Sequence, residues 1–216
     1  MKPANDPAID YQKVVQEGYD QCAAAYEQAR RNKAHPELTL LIDRLPTSAT
    51  VLDLGCGAGV PIARTLAQHF AITGVDSSGE QIRRAHINVP SGTFLCDDIS
   101  EIDFPSASFD AVVAFYSIFH LPREKHLALF QRIHTWLKSD GYLLATVTKT
   151  REDAYTKDDF FGVTMYWSNY SLTEYQKMLQ QVGFQLIDMT TIGHGYIDTR
   201  PDGEVHPLVF AQKTMF

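Results

Sequence analysis

The middle of the chain alternates short apolar segments with segments whose apolar residues recur every three or four positions. Short apolar runs bounded by glycine and polar residues indicate buried strands, and a spacing of three and four indicates helices that bury one face. We therefore predict strands over residues 50–54, 71–76, 93–96, 109–115 and 141–148, and helices over 60–69, 78–86 and 123–137. No helical pattern follows the third strand, so we expect a short or irregular connection there.

Both ends of the chain depart from this alternation. Ahead of the first strand, the spacing predicts a helix over residues 8–34 and a shorter one over 36–44. After the last of these strands, residues 149–170 carry mixed charge and then an aromatic cluster, and they form an insert. A helix then begins with a capping box at Ser171 and ends at Gly183. The pattern closes with two strands, 184–192 and 205–213, joined by a polar turn.

Continuous apolar strands that alternate with helices are typical of a doubly wound, Rossmann-like α/β fold, whose parallel strands are covered on both faces. The final hairpin adds an antiparallel C-terminal edge, so we predict a seven-stranded mixed sheet. A length of 216 residues suits one domain, 1–216.

Charge, cysteine content and the lack of long apolar runs disfavour several classes of protein. With 19 basic and 26 acidic residues the net charge is −7, which leaves no broad electrostatic footprint for nucleic acid or an anionic membrane. The three cysteines are widely spaced, so we expect neither a disulfide framework nor a metal site. The first residues lack an apolar leader and no apolar run reaches 18 residues, which makes the cytoplasm the expected location.

The strongest local motif is a glycine-rich turn between the first strand and the following helix, Gly55-Cys56-Gly57-Ala58-Gly59. Glycines at a strand end let a ligand approach the backbone, and the helix start offers free N–H groups. A dinucleotide site needs G-x-G-x-x-G, whereas here the third glycine comes one residue early. Asp53 before the turn would repel a pyrophosphate but suits a positively charged ligand, and Asp76 suits a ribose diol. The pattern indicates a nucleoside ligand without a pyrophosphate, which disfavours a dinucleotide-dependent oxidoreductase.

Several segments in sequence order resemble the motifs of the class I S-adenosylmethionine-dependent methyltransferases. The segment 51–59 resembles the first motif of that family. The segments 74–78, 94–99, 109–113 with 117–120, and 137–144 resemble the motifs that follow. The resemblance covers about residues 48–148. It implies a methyltransferase that uses S-adenosyl-L-methionine as cofactor and releases S-adenosyl-L-homocysteine.

The resemblance also implies which residues bind the cofactor: Asp53, Gly55, Cys56, Gly57, Asp76, Ser77, Asp97, Asp98, Ile99, Phe115 and Tyr19. Asp53 supports the glycine turn, which lies beside the methionine part. Asp76 takes the ribose hydroxyls and Ser77 lies against the adenine. Phe115 ends the fourth strand under the methyl group, and Tyr19 contacts the methionine carboxylate or the acceptor.

The adenine amino group has two candidate acceptors, the adjacent Asp97 and Asp98, of which Asp97 is preferred. The backbone N–H of Asp98 or Ile99 completes that edge of the base. In the alternative reading, either acid caps the following loop. Cys56 has the alternative role of a small residue in a tight turn.

The acceptor side carries two catalytic candidates, His120 and Tyr116. Methyl transfer needs alignment and exclusion of water, and it needs a base only when the acceptor loses a proton. His120 follows the fourth strand and is the candidate base, unless it only fixes the turn there. The candidate substrate residues are Tyr26, Tyr166 and Trp167, each with the alternative of packing an element onto the sheet.

The same resemblance assigns residues 1–46 to a helical N-terminal lid and residues 149–170 to a cover over the acceptor site. We expect a small-molecule acceptor, no membrane contact, and a monomer or homodimer. A tRNA or protein methyltransferase is the alternative enzyme, and a noncatalytic S-adenosylmethionine-binding protein is the alternative from another class.

Overall fold

The computed structural model describes residues 10–193 and 205–214, and the backbone alone of residues 2–3. The helices are α1 (Tyr11–Arg30), α2 (Thr39–Ile42), α3 (Ile62–Leu66), α4 (Gly79–Asn88), α5 (His126–Trp136) and α6 (Leu172–Val182). The strands are β1 (Lys2–Pro3), β2 (Thr50–Leu54), β3 (Ala71–Asp76), β4 (Thr93–Cys96), β5 (Phe109–Ala114), β6 (Leu137–Thr146), β7 (Glu152–Phe160), β8 (Val163–Asn169), β9 (Phe184–Gly193) and β10 (Val205–Lys213).

Seven of these strands form one mixed sheet in the order β4-β3-β2-β5-β6-β10-β9. Strands β2 to β6 pair in parallel, and β10 runs antiparallel to both β6 and β9. This arrangement confirms the predicted doubly wound sheet with its hairpin at the C-terminal edge. The chain leaves β2 toward β3 on one side and later returns to β5 on the other, which is the switch point where such sheets bind ligands.

Apolar clusters cover both faces of this sheet. Alternate residues of a strand point to opposite faces, so Val51 joins the cluster that contains Leu66, while Leu52 joins the cluster that contains Trp136. All four side chains are fully buried. Burial on both faces explains why the strands read as continuous apolar runs.

Several element boundaries differ from the predicted ones. Helix α1 begins at Tyr11, because the Asp10 carboxylate accepts the Lys13 N–H at 3.2 Å and caps the helix, and it ends at Arg30. Helix α3 is restricted to five residues, and a 3-10 turn precedes α5. Strand β6 begins four residues early, since Leu137 already pairs with Phe109 before an irregularity in the ladder. The predicted polar turn before β10 lies largely outside the described residues.

The insert 149–170 contains a β-hairpin that the sequence pattern did not predict. Strands β7 and β8 pair in antiparallel fashion around a two-residue turn, Phe161-Gly162, in which both residues have positive φ, and such turns favour hairpins. Strand β1 pairs with the free edge of β7. Residues of the hairpin, among them Met165 and Tyr166, pack against Val15 of α1. We call α1 together with β7 and β8 the cap.

Within the described part of the chain, none of the helices has both the length and the apolar character that crossing a bilayer requires.

Strands β2 and β5 end so close together that only glycine fits between them. Gly55 follows β2 with φ of +74°, and a Cβ on it would lie 2.2 Å from the Cβ of Ser117. A side chain at Gly55 would therefore be strained twice, by the backbone conformation and by the contact.

We expect Gly55→Ala to reduce the free energy of unfolding by about 2–4 kcal/mol, the sum of backbone strain and overpacking. Urea denaturation followed by circular dichroism measures this loss. Gly79→Ala is the matched control, because a Cβ there meets no atom within 4 Å. Equal stability of the two variants would show that the strand ends can separate freely.

Candidate active site

A cavity lies between α1 and the carboxyl ends of strands β2 to β5, and its empty space, open mouth included, is about 790 Å³. Segments that follow four different strands line it, together with one face of α1. The lining residues are Tyr11, Gln12, Val15, Tyr19, Tyr26, Glu27, Arg30, Gly55, Cys56, Gly57, Ala58, Val60, Asp76, Ser77, Asp98, Ile99, Phe115, Tyr116, Ser117, His120 and Leu121.

The glycine turn and Asp76 form one hydrogen-bonded unit at the floor of the cavity. Gly57 has φ of +53° and donates its N–H to one oxygen of Asp76 at 2.9 Å. The other oxygen accepts the N–H of Ser78 at 2.9 Å, just before α4. Burial raises the pKa of Asp76 to about 6, although these two N–H donors act in the opposite direction. Each carboxylate oxygen still has a lone pair free for a ligand donor.

Asp53 lies behind the glycine turn and does not line the cavity itself. Its side chain is 2% exposed, and its Oδ2 atom has no hydrogen-bond partner. Burial raises the pKa of Asp53 to about 7, while the positive charge of Arg30 lowers it and Asp76 raises it further. A buried carboxyl group with an open oxygen favours a nearby cation.

Arg30 brings a buried positive charge to the same end of the cavity. It is the last residue of α1 and is 7% exposed. Its guanidinium donates to the Tyr26 hydroxyl at 2.7 Å and lies over the Tyr116 ring, 4.7 Å from the ring centre. Its Nε atom has no partner. Arg30 therefore retains one donor for a group that enters the cavity.

At the opposite end, Ser77, Asp98 and Ile99 line the cavity. Asp97 does not line it, and its carboxylate accepts the N–H of Asp98 at 2.8 Å. The Asp98 carboxylate accepts an N–H from the Gln12 amide of α1. The structure thus brings Asp98, rather than the preferred Asp97, to the cavity wall, because the two side chains leave the chain in different directions.

His120 and Tyr19 form a hydrogen-bonded pair inside the cavity. The Nδ1 atom of His120 lies 2.8 Å from the carbonyl oxygen of Tyr166, which can only accept. Nδ1 must therefore carry the proton, so Nε2 accepts the hydrogen bond of the Tyr19 hydroxyl at 2.9 Å. Burial lowers the pKa of His120 to about 4, and nearby His206 contributes. The ring is therefore neutral at physiological pH, and its Nε2 atom is unprotonated and can accept a proton through the hydrogen bond with Tyr19.

Two residues at the end of β5 complete this side of the cavity. Phe115 lines it, as does Tyr116, whose φ of +59° is unusual for a side chain of this size. The Thr146 hydroxyl holds this conformation by accepting the Tyr116 N–H at 2.6 Å. The Tyr116 hydroxyl donates to the carbonyl of Gly193, so its ring rather than its O–H faces Arg30.

The candidate substrate residues divide between the cavity and the cap. Tyr26 lines the cavity, whereas Tyr166 and Trp167 do not. Tyr166 supplies the carbonyl that fixes His120, and Trp167 packs its ring 5.6 Å from the His120 ring. Both residues of the hairpin thus stand behind His120 instead of lining the cavity.

Sequence reasoning missed the lining residues of α1 other than Tyr19 and Tyr26, above all Arg30. The missing signal was positional: Arg30 continues the three-and-four spacing that includes Tyr19 and Tyr26, at the end of the helix. No cluster of three or more potential metal ligands occurs among the residues that the structure describes.

Comparison with known proteins finds similarity to methyltransferases. Residues 51–141 match the model of a methyltransferase domain. YqeM of Bacillus subtilis (strain 168), which is named as a methyltransferase, is 25% identical to this chain across 91% of this chain and 97% of its own length. The 2-methyl-6-phytyl-1,4-hydroquinone methyltransferase of Synechocystis sp. (strain PCC 6803) is 33% identical across 52% of this chain, which spans 36% of that enzyme.

A solved structure shares the fold over the whole chain. The 1,6-didemethyltoxoflavin-N1-methyltransferase of Burkholderia thailandensis superposes with a TM-score of 0.72 and 22% identity, covering 99% of this chain and 94% of that one. The matched domain contains the glycine turn and Asp76, and the fold places both beside the cavity. Residues 51–141 are thus similar to a methyltransferase domain, and the chain resembles the class I S-adenosylmethionine-dependent methyltransferases, enzymes that take their methyl group from S-adenosyl-L-methionine.

Proposed function

We propose that this chain methylates a small planar aromatic molecule on a hydroxyl group or a ring N–H. The observation that carries the proposal is the Tyr19–His120 pair, which lies in the same cavity as the glycine turn. A hydroxyl or a ring N–H must lose its proton when it is methylated, so a base beside the cofactor suits such an acceptor.

The residues at one end of the cavity fit the amino-acid part of S-adenosylmethionine. That part carries a carboxylate and an ammonium group. The open Nε donor of Arg30 suits the carboxylate, and the open Oδ2 acceptor of Asp53 supplies negative charge for the ammonium side of the glycine turn. Two buried groups of opposite charge with unused hydrogen-bond capacity are what a zwitterion requires.

The nucleoside part fits the other wall of the cavity. Asp76 would accept the ribose hydroxyls with the lone pairs that Gly57 and Ser78 leave free. Ser77 and Ile99 would contact the faces of the adenine, and Asp98 would accept from its amino group in place of Gln12. Asp97 is the less favourable acceptor, because it lies outside the cavity lining.

The acceptor would occupy the remaining space between Tyr19, Tyr26, Phe115 and His120. Aromatic rings pack well against a planar ring in offset or edge-to-face geometry. When bound, S-adenosylmethionine supplies a methyl group on a positively charged sulfur. The chain's own residues would align the acceptor, exclude water and take up its proton. Tyr19 would pass its proton to His120 Nε2 while its oxygen accepts the proton from the acceptor.

The names of relatives support a small acceptor over a macromolecule. One relative acts, by its name, on a hydroquinone, and the structural neighbour on 1,6-didemethyltoxoflavin. A net charge of −7 disfavours a tRNA acceptor, whose phosphates need basic contacts. A protein acceptor and a noncatalytic cofactor-binding role are the remaining alternatives.

Arg30→Met is expected to raise the Kd for S-adenosylhomocysteine about 10- to 100-fold, because a charge-assisted hydrogen bond to the carboxylate is lost. The Kd for 5′-methylthioadenosine, which lacks the amino-acid part, should change less than about twofold. Titration calorimetry measures both. Asp76→Ala should weaken both ligands, and Arg83→Met, on the exposed side of α4, should weaken neither. Equal losses for both ligands with Arg30→Met would remove Arg30 from the carboxylate site.

Cofactor affinity should fall as the pH drops from 8 to 6. Asp53, with its pKa raised to about 7, takes up a proton in this interval and loses the negative charge that attracts the ammonium group. Ligand binding and proton release are linked, so the affinity falls by up to about tenfold per pH unit below that pKa. Asp53→Asn should bind more weakly at pH 8 and lose the pH dependence centred near pH 7, so that only the protonation of Asp76, whose pKa is raised to about 6, weakens binding at the acidic end. Parallel profiles for the two proteins would assign the titration to another group.

His120→Ala is expected to lower kcat about 10²- to 10⁴-fold, the usual contribution of a general base, with the Kd for S-adenosylhomocysteine unchanged within about threefold. The assay follows tritiated methyl groups onto hydroxylated aromatics, ring N–H heterocycles, peptides and tRNA. Turnover on tRNA or peptides alone would overturn the small-molecule proposal. Tight cofactor binding without turnover on any class would favour the noncatalytic role.

A further inference from the structure

Strand β8 touches both partners of the Tyr19–His120 pair. On one side, the Tyr166 carbonyl accepts the Nδ1–H of His120 at 2.8 Å. On the other side, α1 crosses the strand at Gly18, directly before Tyr19, and a Cβ on Gly18 would lie 3.0 Å from Met165 Cε and 3.1 Å from the Thr164 carbonyl oxygen. Three consecutive residues of β8 therefore support both sides of one hydrogen bond.

We propose that Gly18 is a positioning residue, whose missing side chain lets α1 approach β8 closely enough for Tyr19 to reach His120 Nε2. The inference rests on the proposed function only in giving this pair a catalytic task. The hairpin of the insert then serves as the support that sets the distance between the hydroxyl and the ring. The hairpin has this role without forming a wall of the acceptor site, since Tyr166 and Trp167 lie outside the cavity lining.

The surroundings of Gly18 leave little room for adjustment. Carbon atoms pack best at about 3.5–4.0 Å, so the contact with Met165 Cε at 3.0 Å is the severe one. Met165 is fully buried against Val15 and Tyr166, so its Cε atom cannot turn out into solvent. Without this contact, alanine would be the better residue in the middle of a helix.

The opposite side of α1 is held as well. The Asp20 carboxylate accepts the Ser78 hydroxyl at 2.6 Å and the Glu80 N–H at 3.1 Å, which ties the helix to the start of α4. A side chain at Gly18 would therefore tilt the helix locally. Tyr19 would withdraw from a bond of 2.9 Å, which weakens steeply as it lengthens.

The test compares the full-length wild type with Gly18→Ala, Tyr19→Phe and Gly79→Ala. In protein labelled with ¹⁵N-histidine, nuclear magnetic resonance follows the Nε2 shift of His120 and its titration without any need for turnover. Tyr19→Phe defines the signal of a broken pair. Gly18→Ala should show the same Nε2 shift and a His120 pKa higher than in the wild type. Gly79→Ala, with open space around its Cβ, should match the wild type.

Once an acceptor has been identified, Gly18→Ala should also lower kcat about 10- to 100-fold, as small misplacements of a reacting group do. The Kd of this variant for S-adenosylhomocysteine should change less than about twofold. The double variant Gly18→Ala/Met165→Val removes the crowded Cε atom and should recover the wild-type Nε2 signal. It also serves as the test if the single variant does not fold.

A wild-type Nε2 signal in folded Gly18→Ala would overturn the proposal, and so would a double variant that keeps the signal of Tyr19→Phe. The spectroscopic result is independent of methyl transfer. If no acceptor is methylated and the Nε2 signals still change as described, the positioning role holds and the proposed function fails.

Discussion

The contact between Gly55 and Ser117 fixes the geometry on which the rest of the site depends. Because Gly55 has no side chain, the Ser117 hydroxyl reaches the carbonyl of Leu54 at 2.7 Å and joins the ends of β2 and β5. Tyr116, directly before Ser117, has a positive φ, and the turn that follows Ser117 carries His120 to the cavity. One missing methyl group thus decides both where a ligand approaches the backbone and where the proposed base stands.

Two buried side chains of opposite charge determine the electrostatics at one end of the cavity. The net charge of −7 does not describe the electrostatics of the cavity, where one basic and one acidic side chain are buried. Arg30 and Asp53 each keep a hydrogen-bonding atom without a partner. Leaving such groups without partners costs free energy. In the proposed complex, the cofactor's carboxylate takes the open donor of Arg30, and its ammonium group lies near the charge of Asp53 behind the glycine turn. A phosphate would compensate only Arg30 and would be repelled by Asp53.

Sequence patterns predicted the sheet because its strands are buried on both faces and its ligand turn needs glycine. They failed where structure depends on partners distant in the chain. The hairpin of the insert is half exposed and held by α1, so Met165 and its neighbours show no strand period. The spacing places Leu137 at the end of the helix 123–137, because its pairing with the distant Phe109 leaves no local signal. Asp97 and Asp98 are equivalent in sequence and differ only in the direction of their side chains, and Arg30 matches no motif.

The cap combines two tasks on one helix. Tyr19 belongs to the proposed proton pathway and Arg30 to the proposed cofactor site, and the eleven residue steps from one to the other amount to about 16 Å of helix. Asp20 and Glu27 tie the intervening stretch to α4 through Ser78 and Arg84. A disturbance at Gly18 is therefore separated from Arg30 by two anchored turns. Turnover and cofactor affinity can change independently in a site where a single helix serves both.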